Sequence, residues 1–529
     1  AFLLCVSAAA ALLTAFRPGI GWGYALALAL MLQAVVYQVA AFLPSVSSHP
    51  FSLGWSEGSR YYYASLLFSE KLYGMRLPPS VWHPSRYILQ SIPFLINHLP
   101  LWFHRLWQVL LWLGLTALTS TTLAQRIRGA VQIERFLLAG WSFLFLFQGP
   151  VYYHLQVCLL IILWGVSPKK YTRSLAAVVL ASLWAGISRI NWAPIPAMLA
   201  AVIYVLEQPF EKSFWNYFKK PLSWGAAGFT AALASQAAYA AFSGNDLSQF
   251  GSSFTSDLLW YRLLPNTTFT PGILPGILIA SLPVWAALAL KSIPVWRSWH
   301  PLRWLALAAA LAASFGMGLV VSTKIGGGGD LHNMDAYLVL LMVVGATICL
   351  DRFTPDQTPV VQPRLAWLTI ALALAVPIGF RLPTGGPLPH YDQAEVERIL
   401  TNLQSISNEA VARNQEILFI SQRHLLIFGY LQGIPLVPEY ENITLMEMAM
   451  SKNQAYLARF YKDLLDHRFS IIISHRNPIY LKDRTTSLPE ENNAWVEMIS
   501  IPLYQSYETQ RIFKSEGIEV LVPRLEPSP

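Results

Sequence analysis

One short segment of the sequence carries residue types suited to proton transfer. It runs from Gly54 to Ala64 as Gly-Trp-Ser-Glu-Gly-Ser-Arg-Tyr-Tyr-Tyr-Ala, with Glu57 beside a glycine and Arg60 three residues later. A carboxylate at a cleft can accept the proton of an attacking hydroxyl group. The same acid would also suit the first turn of an amphipathic helix, because negative charge complements the helix dipole there. Glu57 is therefore a candidate general base with a structural alternative.

A second segment, between Ser322 and Ala336, combines four consecutive glycines with ionisable residues. Polyglycine leaves backbone N–H groups free to approach a ligand, and Lys324 adds a point charge for a phosphate. Asp330, His332 and Asp335 follow at the start of the next apolar run. The structural alternative is a flexible loop with a helix cap. Ligation of a divalent metal (Mg²⁺ or Mn²⁺) by these three residues stays open, although their spacing matches no specific metal site.

Two further places put cations beside apolar segments. Arg189 lies in a turn between two short apolar runs, where it could bind a phosphate, extend to the membrane surface or pair with an acid. His83 and Arg86 follow Trp82 in the first long loop. A lone histidine in such a place is more often only an interface residue.

The composition restricts what kind of protein must position these residues. The chain has 529 residues, of which 54% are hydrophobic and 12% are charged, about half of the ~25% charge of a soluble protein. These values exclude an ordinary cytosolic protein, a disordered protein and a nucleic-acid binder. Residues 1–379 carry 23 Lys and Arg against 11 Asp and Glu, whereas residues 380–529 carry 14 against 18. The three cysteines lie in apolar runs, which argues against a disulfide framework.

The apolar runs predict a polytopic bundle of about 11–12 transmembrane helices in residues 1–379, since a spanning helix needs about 20 apolar residues. The segments lie at 1–16, 19–43, 102–124, 136–148, 151–166, 174–188, 194–206, 222–242, 272–290, 304–322, 336–350 and 365–379. Several segments are short. Two pairs predict helices that turn before they cross the full width of the membrane, namely 136–148 with 151–166 and 174–188 with 194–206. The run at 1–16 lacks the basic region and cleavage site of a signal peptide.

The distribution of Lys and Arg predicts the orientation. One alternating set of loops holds 15 of them and the other holds 8, and the richer set is expected to be cytoplasmic. The other set contains a long first loop, 44–101, with two predicted interfacial helices. We therefore expect an integral membrane protein of the bacterial plasma (inner) membrane, with the first loop and residues 380–529 on the extracytoplasmic side. Apolar strand-like runs at 416–421, 469–474 and 518–523, with a predicted helix at 445–467, indicate a small α/β domain in residues 380–529.

This arrangement resembles the GT-C superfamily of polytopic glycosyltransferases, which use polyprenyl- or dolichyl-phosphate sugars. The shared layout is one helix, a large outer loop with an acidic motif, many helices with short outer turns, and an outer C-terminal α/β domain. Ser56, Glu57 and Gly58, followed by three tyrosines and Ala64, look like that motif. Ser56 stands where many members have Asp, which weakens a two-carboxylate metal site.

The resemblance implies an inverting transfer of a sugar from a polyprenyl-phosphate-linked donor to an acceptor hydroxyl at the outer face of the membrane. Glu57 would be the general base. The donor phosphate would bind Arg60, Arg189, Lys324 and His332, and the sugar or acceptor would contact Asp330, Asp335, His83 and Arg86. The acceptor would be a glycan, a lipid or a protein, and no nucleic acid is expected.

Other functions stay open on the sequence. A transporter or flippase of lipid-linked glycans would also have many helices, but we expect acids in several helices and often a repeated half, neither of which is clear here. A non-catalytic cell-envelope assembly protein would explain Ser56 and the acidic outer domain as partner surfaces. Ligases and polymerases that use the same lipid carriers usually have their main outer loop late in the chain.

Overall fold

The computed structural model describes residues 2–127, 132–210, 213–251, 255–295, 299–350, 354, 356, 367–381 and 388–524. Helices lie at all twelve predicted apolar segments: Phe2–Phe16, Trp22–Ala40, Leu101–Arg126, Gln132–Phe145, Tyr153–Gly165, Tyr171–Gly186, Ile195–Glu207, Phe214–Phe242, Ile273–Val295, Pro301–Ser322, Asp335–Cys349 and Trp367–Arg381. The chain is thus mainly helical, as the sequence predicts.

Among the described residues, six helices are long and apolar enough to cross a membrane, and they make this an integral membrane protein. These are Trp22–Ser45, Leu101–Arg126, Ile190–Glu207, Ile273–Lys291, Pro301–Ser322 and His332–Cys349. The last of them lies at the centre, because Asp335–Cys349 is buried along nearly its whole length. The other apolar helices are shorter or less apolar, so the predicted count of 11–12 crossings stays a prediction.

The predicted pairs of short helices place two turns beside this central helix. Gln132–Phe145 and Tyr153–Gly165 are joined through Tyr152, and Tyr171–Gly186 and Ile195–Glu207 are joined through Arg189. Non-helical backbone within a membrane is tolerated where it is buried in protein or lines a water-filled cavity. The turns therefore bring side chains from separate parts of the chain to one end of the bundle.

The first long loop folds into short helices. Its α-helices are Glu57–Ser65, Ser69–Tyr73 and Pro84–Gln90, and its 3₁₀ turns are Leu43–Ser45, Leu66–Phe68 and Ile92–Leu95. Further 3₁₀ turns lie at Ile190–Trp192, Leu247–Gln249, Trp260–Leu263 and His332–Met334.

Helix Glu57–Ser65 differs from the predicted interfacial helix. Eight of its nine residues are buried, because it lies between the bundle and the C-terminal domain instead of along a surface. The following segments fit the prediction better, since Ile88, Ile92, Leu95 and Ile96 leave an exposed apolar row. Contact of that row with a bilayer stays a prediction.

The C-terminal residues form an α/β domain around a four-stranded sheet, called the outer domain below after the side of the membrane on which the sequence predicts it. Its strands are β1 (Glu416–Phe419), β2 (Phe469–His475), β3 (Tyr507–Phe513) and β4 (Ile518–Pro523). The order is β1-β2-β4-β3, with β1 parallel to β2 and the other pairs antiparallel. Its helices are Gln393–Ala412, His424–Ile427, Asn442–Met450, Gln454–Leu465, Pro489–Trp495 and Ile501–Ser506, with a π-helical turn at Val496–Ser500.

The single helix predicted at 445–467 is wrong. The chain forms two helices there, because Lys452 takes a left-handed conformation (φ 52°) and the Asn453 side chain caps the second helix by accepting the Tyr456 N–H. Strand β3 and the helix at Gln393–Ala412 were not predicted.

The outer domain packs on three separate loops, which therefore lie on one face of the protein. Arg262 donates two hydrogen bonds, of 2.8 and 2.7 Å, to the carboxylate of Glu491. The N–H of Gly326, in the polyglycine loop, donates to the same carboxylate at 2.6 Å. In the first loop, a Cβ at Gly58 would lie 2.6 Å from Nδ1 of His424, so only glycine allows this close approach. All three loops belong to the set that the charge distribution predicts to be extracytoplasmic.

Candidate functional site

Glu57 lies in a buried ion pair with Arg105. Nε of Arg105 donates to Oε1 at 2.9 Å, and Nη2 donates to Oε2 at 3.0 Å. Oε2 also accepts the backbone N–H of Leu53 at 2.6 Å. The side chains of Glu57 and Arg105 are 7% and 1% exposed. A carboxylate has about four lone-pair positions, so one position on Oε1 has no donor in the described part of the chain.

The pKa of Glu57 lies below its usual value. Burial alone would raise it, but the hydrogen bonds and charge of Arg105, with the Leu53 N–H and the charge of Arg60, outweigh burial. Glu57 is therefore ionised at neutral pH, as a general base must be. The same pairing makes it a weak proton acceptor.

The Glu57 pair borders a cavity of about 340 Å³. Arg60 and Tyr61 line its polar side. Trp112, from helix Leu101–Arg126, and Phe147, from the turn after helix Gln132–Phe145, line the other. Nε of Arg60 is buried and has no hydrogen-bond partner among the residues with defined positions. The cavity thus joins a carboxylate, an arginine with unused hydrogen-bonding capacity and an apolar wall.

A chain of hydrogen bonds leads from this cavity towards Tyr153. The Tyr61 hydroxyl donates to Oε1 of Gln108 at 3.4 Å, and Nε2 of Gln90 donates to the same oxygen at 3.1 Å. The Tyr153 hydroxyl then donates to Oε1 of Gln90 at 3.3 Å.

Cationic and imidazole side chains surround the neighbouring Tyr152. The guanidinium carbons of Arg86 and Arg189 lie 5.1 and 5.8 Å from the centre of its ring, within the range of cation–π attraction. The rings of His154 and His332 lie 5.7 and 6.2 Å away. We call these five residues the Tyr152 cluster.

Two members of the Tyr152 cluster have unused hydrogen-bonding capacity. Nε of Arg86 and both ring nitrogens of His154 are buried and have no hydrogen-bond partner in the part of the chain that the structure describes. Buried polar groups are normally paired. A cluster rich in donors is consistent with an anionic ligand.

The predicted acids pair with neighbouring side chains. Asp335 binds Arg189 at 3.3 Å and accepts the Trp192 indole N–H at 3.0 Å, while Asp330 contacts His332. Burial would raise the pKa of Asp330, but the hydrogen bonds and charge of His332 lower it below its usual value. Asp335 therefore helps to position Arg189, and Asp330 helps to position His332.

His83 is neutral in this environment. Burial, with the charge of Arg189, lowers its pKa to about 3. Nδ1 lies 2.7 Å from the carbonyl oxygen of Ser188, and a carbonyl can only accept, so Nδ1 carries the proton. His83 is thus held as the tautomer whose Nε2 is an acceptor, which suits a hydroxyl group better than a phosphate.

The structure brings the predicted residues together in two places. Glu57 and Arg60 border the first cavity, whereas His83, Arg189, Lys324 and His332 line a second cavity of about 230 Å³. Arg86 stands next to the second group, over Tyr152. Burial lowers the pKa of Lys324.

Four residues of this region were missed by sequence reasoning: Arg105, Tyr152, His154 and Glu447. Arg105 and His154 had a usable signal, because a polar or charged residue inside an apolar helix needs a partner or a function. Glu447 borders the second cavity. No signal in the sequence marks it, because its enclosure results from the docking of the outer domain.

In the described part of the chain, no group of three or more His, Cys, Asp and Glu side chains is placed to hold a metal ion. Neither a protein-family model nor a curated protein matches the sequence. The resemblance to GT-C glycosyltransferases therefore stays an expectation based on the motif and the layout.

Proposed function

We propose that the protein is a membrane glycosyltransferase that moves a sugar from a polyprenyl-phosphate-linked donor to an acceptor hydroxyl, by inverting displacement, on the face that carries the outer domain. The observation that carries this proposal is the first cavity, where Glu57 and Arg60 face an apolar wall of Trp112 and Phe147. A lipid-linked sugar presents matching chemistry, namely an apolar chain, a phosphate and a reacting carbon.

The arginines supply the electrostatic part of the proposal. The bond that breaks joins the anomeric carbon to the phosphate oxygen, so negative charge grows on the polyprenyl phosphate as it leaves. Arg60 and Arg86 have no ion pair among the described residues, and each can donate to that phosphate. Fixed donors around a developing charge are usually the largest contribution to catalysis.

Glu57 has the role of base in this proposal. Its free lone-pair position on Oε1 would accept the proton of the acceptor hydroxyl as the new glycosidic bond forms. General-base assistance contributes ~10²–10⁴-fold to rate. Arg105 holds the carboxylate in place and keeps it ionised.

The test is release of polyprenyl phosphate from a panel of polyprenyl-phosphate sugars by the full-length protein in nanodiscs, with and without EDTA. Release with one donor would support transfer and identify the sugar, and sensitivity to EDTA would support a metal. The most informative variant is Arg60→Gln, because the Arg60 side chain makes no hydrogen bond or ion pair among the described residues, so its loss should disturb the fold little.

A second function, a non-catalytic assembly protein, is favoured by the Glu57–Arg105 pair itself. This bidentate pair, which also accepts a hydrogen bond from the Leu53 N–H, fixes the loop. Its presence can be explained without a substrate. If no donor is bound or released, Glu57 is a structural residue, and transport or assembly becomes the better account.

A further inference from the structure

A third cavity, of about 720 Å³, lies between the outer domain and the polyglycine loop. Gly326, Gly328 and Gly329 form one wall. The opposite walls come from the segment after β2 and from helices Asn442–Met450 and Pro489–Trp495. We call it the interdomain cavity. Neither Glu57 nor a member of the Tyr152 cluster lines it.

Several polar side chains around the interdomain cavity have unused hydrogen-bonding capacity. The carboxylate of Glu447 and the ring of His475 have no hydrogen bond or ion pair within the described residues. Asn442 and Asn492 donate to the carbonyl oxygens of Trp55 and Tyr480, at 3.3 and 2.9 Å. Their own side-chain oxygens accept from no donor in the described part of the chain.

Two tryptophans supply aromatic surface beside these polar groups. The Trp55 side chain is 46% exposed although it borders the cavity. Trp495 is buried and its indole N–H donates to Asn477 at 2.8 Å, which fixes its orientation. Binding sites typically combine apolar and aromatic walls with a few placed polar groups. Carboxylate, imidazole and amide groups can together bind hydroxyls that both donate and accept.

Glu447 lies where the interdomain cavity meets the second cavity. Gly326, Glu447 and Met450 border both cavities. Gly326 has φ of +79°, and a Cβ there would lie 3.0 Å from the Met450 side chain, so glycine keeps this shared wall thin. Arg189 and Lys324 line the far side. A ligand that reaches Glu447 from the interdomain cavity therefore ends beside these cations.

We propose that the interdomain cavity binds an oligosaccharide, whose hydroxyls bind Glu447, His475 and the amide oxygens of Asn442 and Asn492, while one sugar ring packs on Trp55. A sugar ring combines a face of C–H groups with an edge of hydroxyls, which matches the aromatic and polar groups of this lining. Burial raises the pKa of Glu447 to about 7, so the carboxyl group can accept or donate near neutral pH. That the glycan is the acceptor of transfer rests on the proposed function, whereas its binding does not.

The experiment is binding of the full-length protein in labelled nanodiscs to a printed array of defined oligosaccharides. We expect binding to a subset of related glycans. Glu447→Gln and Trp55→Ala should each weaken it about tenfold or more, since hydrogen bonds to charged groups and ring packing both contribute at this level. Glu409→Gln, on an exposed face of helix Gln393–Ala412, is the matched control and should bind normally.

The outcomes separate this inference from the proposed function. Glycan binding that depends on Glu447 and Trp55, without polyprenyl phosphate release from any donor, would support the cavity and overturn transfer. Release of polyprenyl phosphate with no glycan bound on the array would support transfer and overturn the assignment of the interdomain cavity. Binding that neither substitution weakens would also overturn the cavity assignment.

Discussion

Arg105 holds Glu57 by two hydrogen bonds of 2.9 and 3.0 Å and also donates to the carbonyl oxygens of Ser47, His49 and Phe51. One guanidinium thus fixes the course of the first loop and the position of its carboxylate. Its burial makes the pair costly to break, because a single remaining charge would be left without a partner. The structural role of Glu57 and its proposed role as a base must therefore be measured separately.

We expect Glu57→Gln to lose both stability and turnover. The amide N–H₂ of glutamine would face the donors that now bind the carboxylate, and breaking a buried pair costs about 3–5 kcal/mol. Turnover should therefore be divided by the fraction of molecules that still bind the donor. If Glu57 is the base, turnover per donor-bound molecule falls ~10²–10⁴-fold; a normal value would show that its role is structural.

Arg60→Gln should weaken donor binding and leave folding almost unchanged. Arg60 borders the first cavity and its Nε has no partner among the described residues. Loss of a hydrogen bond to a charged group costs about 1.5–3 kcal/mol, which is roughly a 10–100-fold rise in the donor Kd. The measurement is binding of a polyprenyl-phosphate sugar in nanodiscs. Arg76→Gln, an exposed arginine of the same loop, is the control, and an equal effect from it would exclude a specific role for Arg60.

The helices were predictable because long apolar runs are the strongest signal that a sequence carries. Three strands of the outer domain were found for the same reason. Strand β3, Tyr507–Phe513, was missed because its five central residues are all exposed. Such a strand shows neither an apolar run nor an alternating pattern, and only its pairing with β4 reveals it.

The site was predictable only residue by residue. Glu57, Arg60, His83, Arg86, Arg189, Lys324, Asp330, His332 and Asp335 were chosen because ionisable groups are costly near a membrane. Contacts between distant parts of the chain decide that Glu57 and Arg60 border one cavity, whereas His83, Arg189, Lys324 and His332 line another. The same contacts bring in the partners Arg105 and Tyr152. Spacing along the sequence contains no information about those contacts.

Glu447→Gln should make the protein more stable at neutral pH but not at acidic pH. Burial raises the pKa of Glu447 from 4.5 to about 7, so the folded state favours the protonated form. That stability is fully present below pH 4.5 and is lost as the pH rises through about 7. Titratable and charged groups on the facing walls are His83, Arg189, Lys324, His332, His475, Arg476, Lys482 and Glu491.

The measurement for Glu447 is the apparent melting temperature in nanodiscs at one scan rate, from pH 4.5 to pH 8. The melting temperature of the variant should rise relative to that of the native protein between about pH 5 and pH 7. The difference should then persist above pH 7, since glutamine does not titrate. Glu409→Gln should show no such pH-dependent gain. A constant difference across the whole range would contradict burial of the Glu447 carboxylate.

The Arg262–Glu491 pair should control the docking of the outer domain. Arg262 is fully buried. The Glu491 carboxylate accepts hydrogen bonds from Nη1 and Nη2 of Arg262 and from the Gly326 N–H. Among the described residues, Arg262→Met would leave the Glu491 carboxylate with the Gly326 N–H as its one remaining donor. We expect faster hydrogen exchange at residues 323–331 and in helix Pro489–Trp495, with the sheet of the outer domain unchanged. Uniformly faster exchange would indicate global destabilisation instead.

The two ends of the bundle should differ in their access from outside the cell. The outer domain and three loops share one face. The partly exposed ion pair between Arg126 and Glu207, with an N–O distance of 2.8 Å, lies in the set of loops predicted to be cytoplasmic. Cysteine substitutions at exposed Glu409 and exposed Lys169 mark the two ends. In a background where Cys5, Cys158 and Cys349 are replaced, a membrane-impermeant maleimide should label the first in intact cells and the second only after permeabilisation. The opposite pattern would place the first cavity, the Tyr152 cluster and the interdomain cavity in the cytoplasm, where a donor presented at the outer leaflet could not reach them.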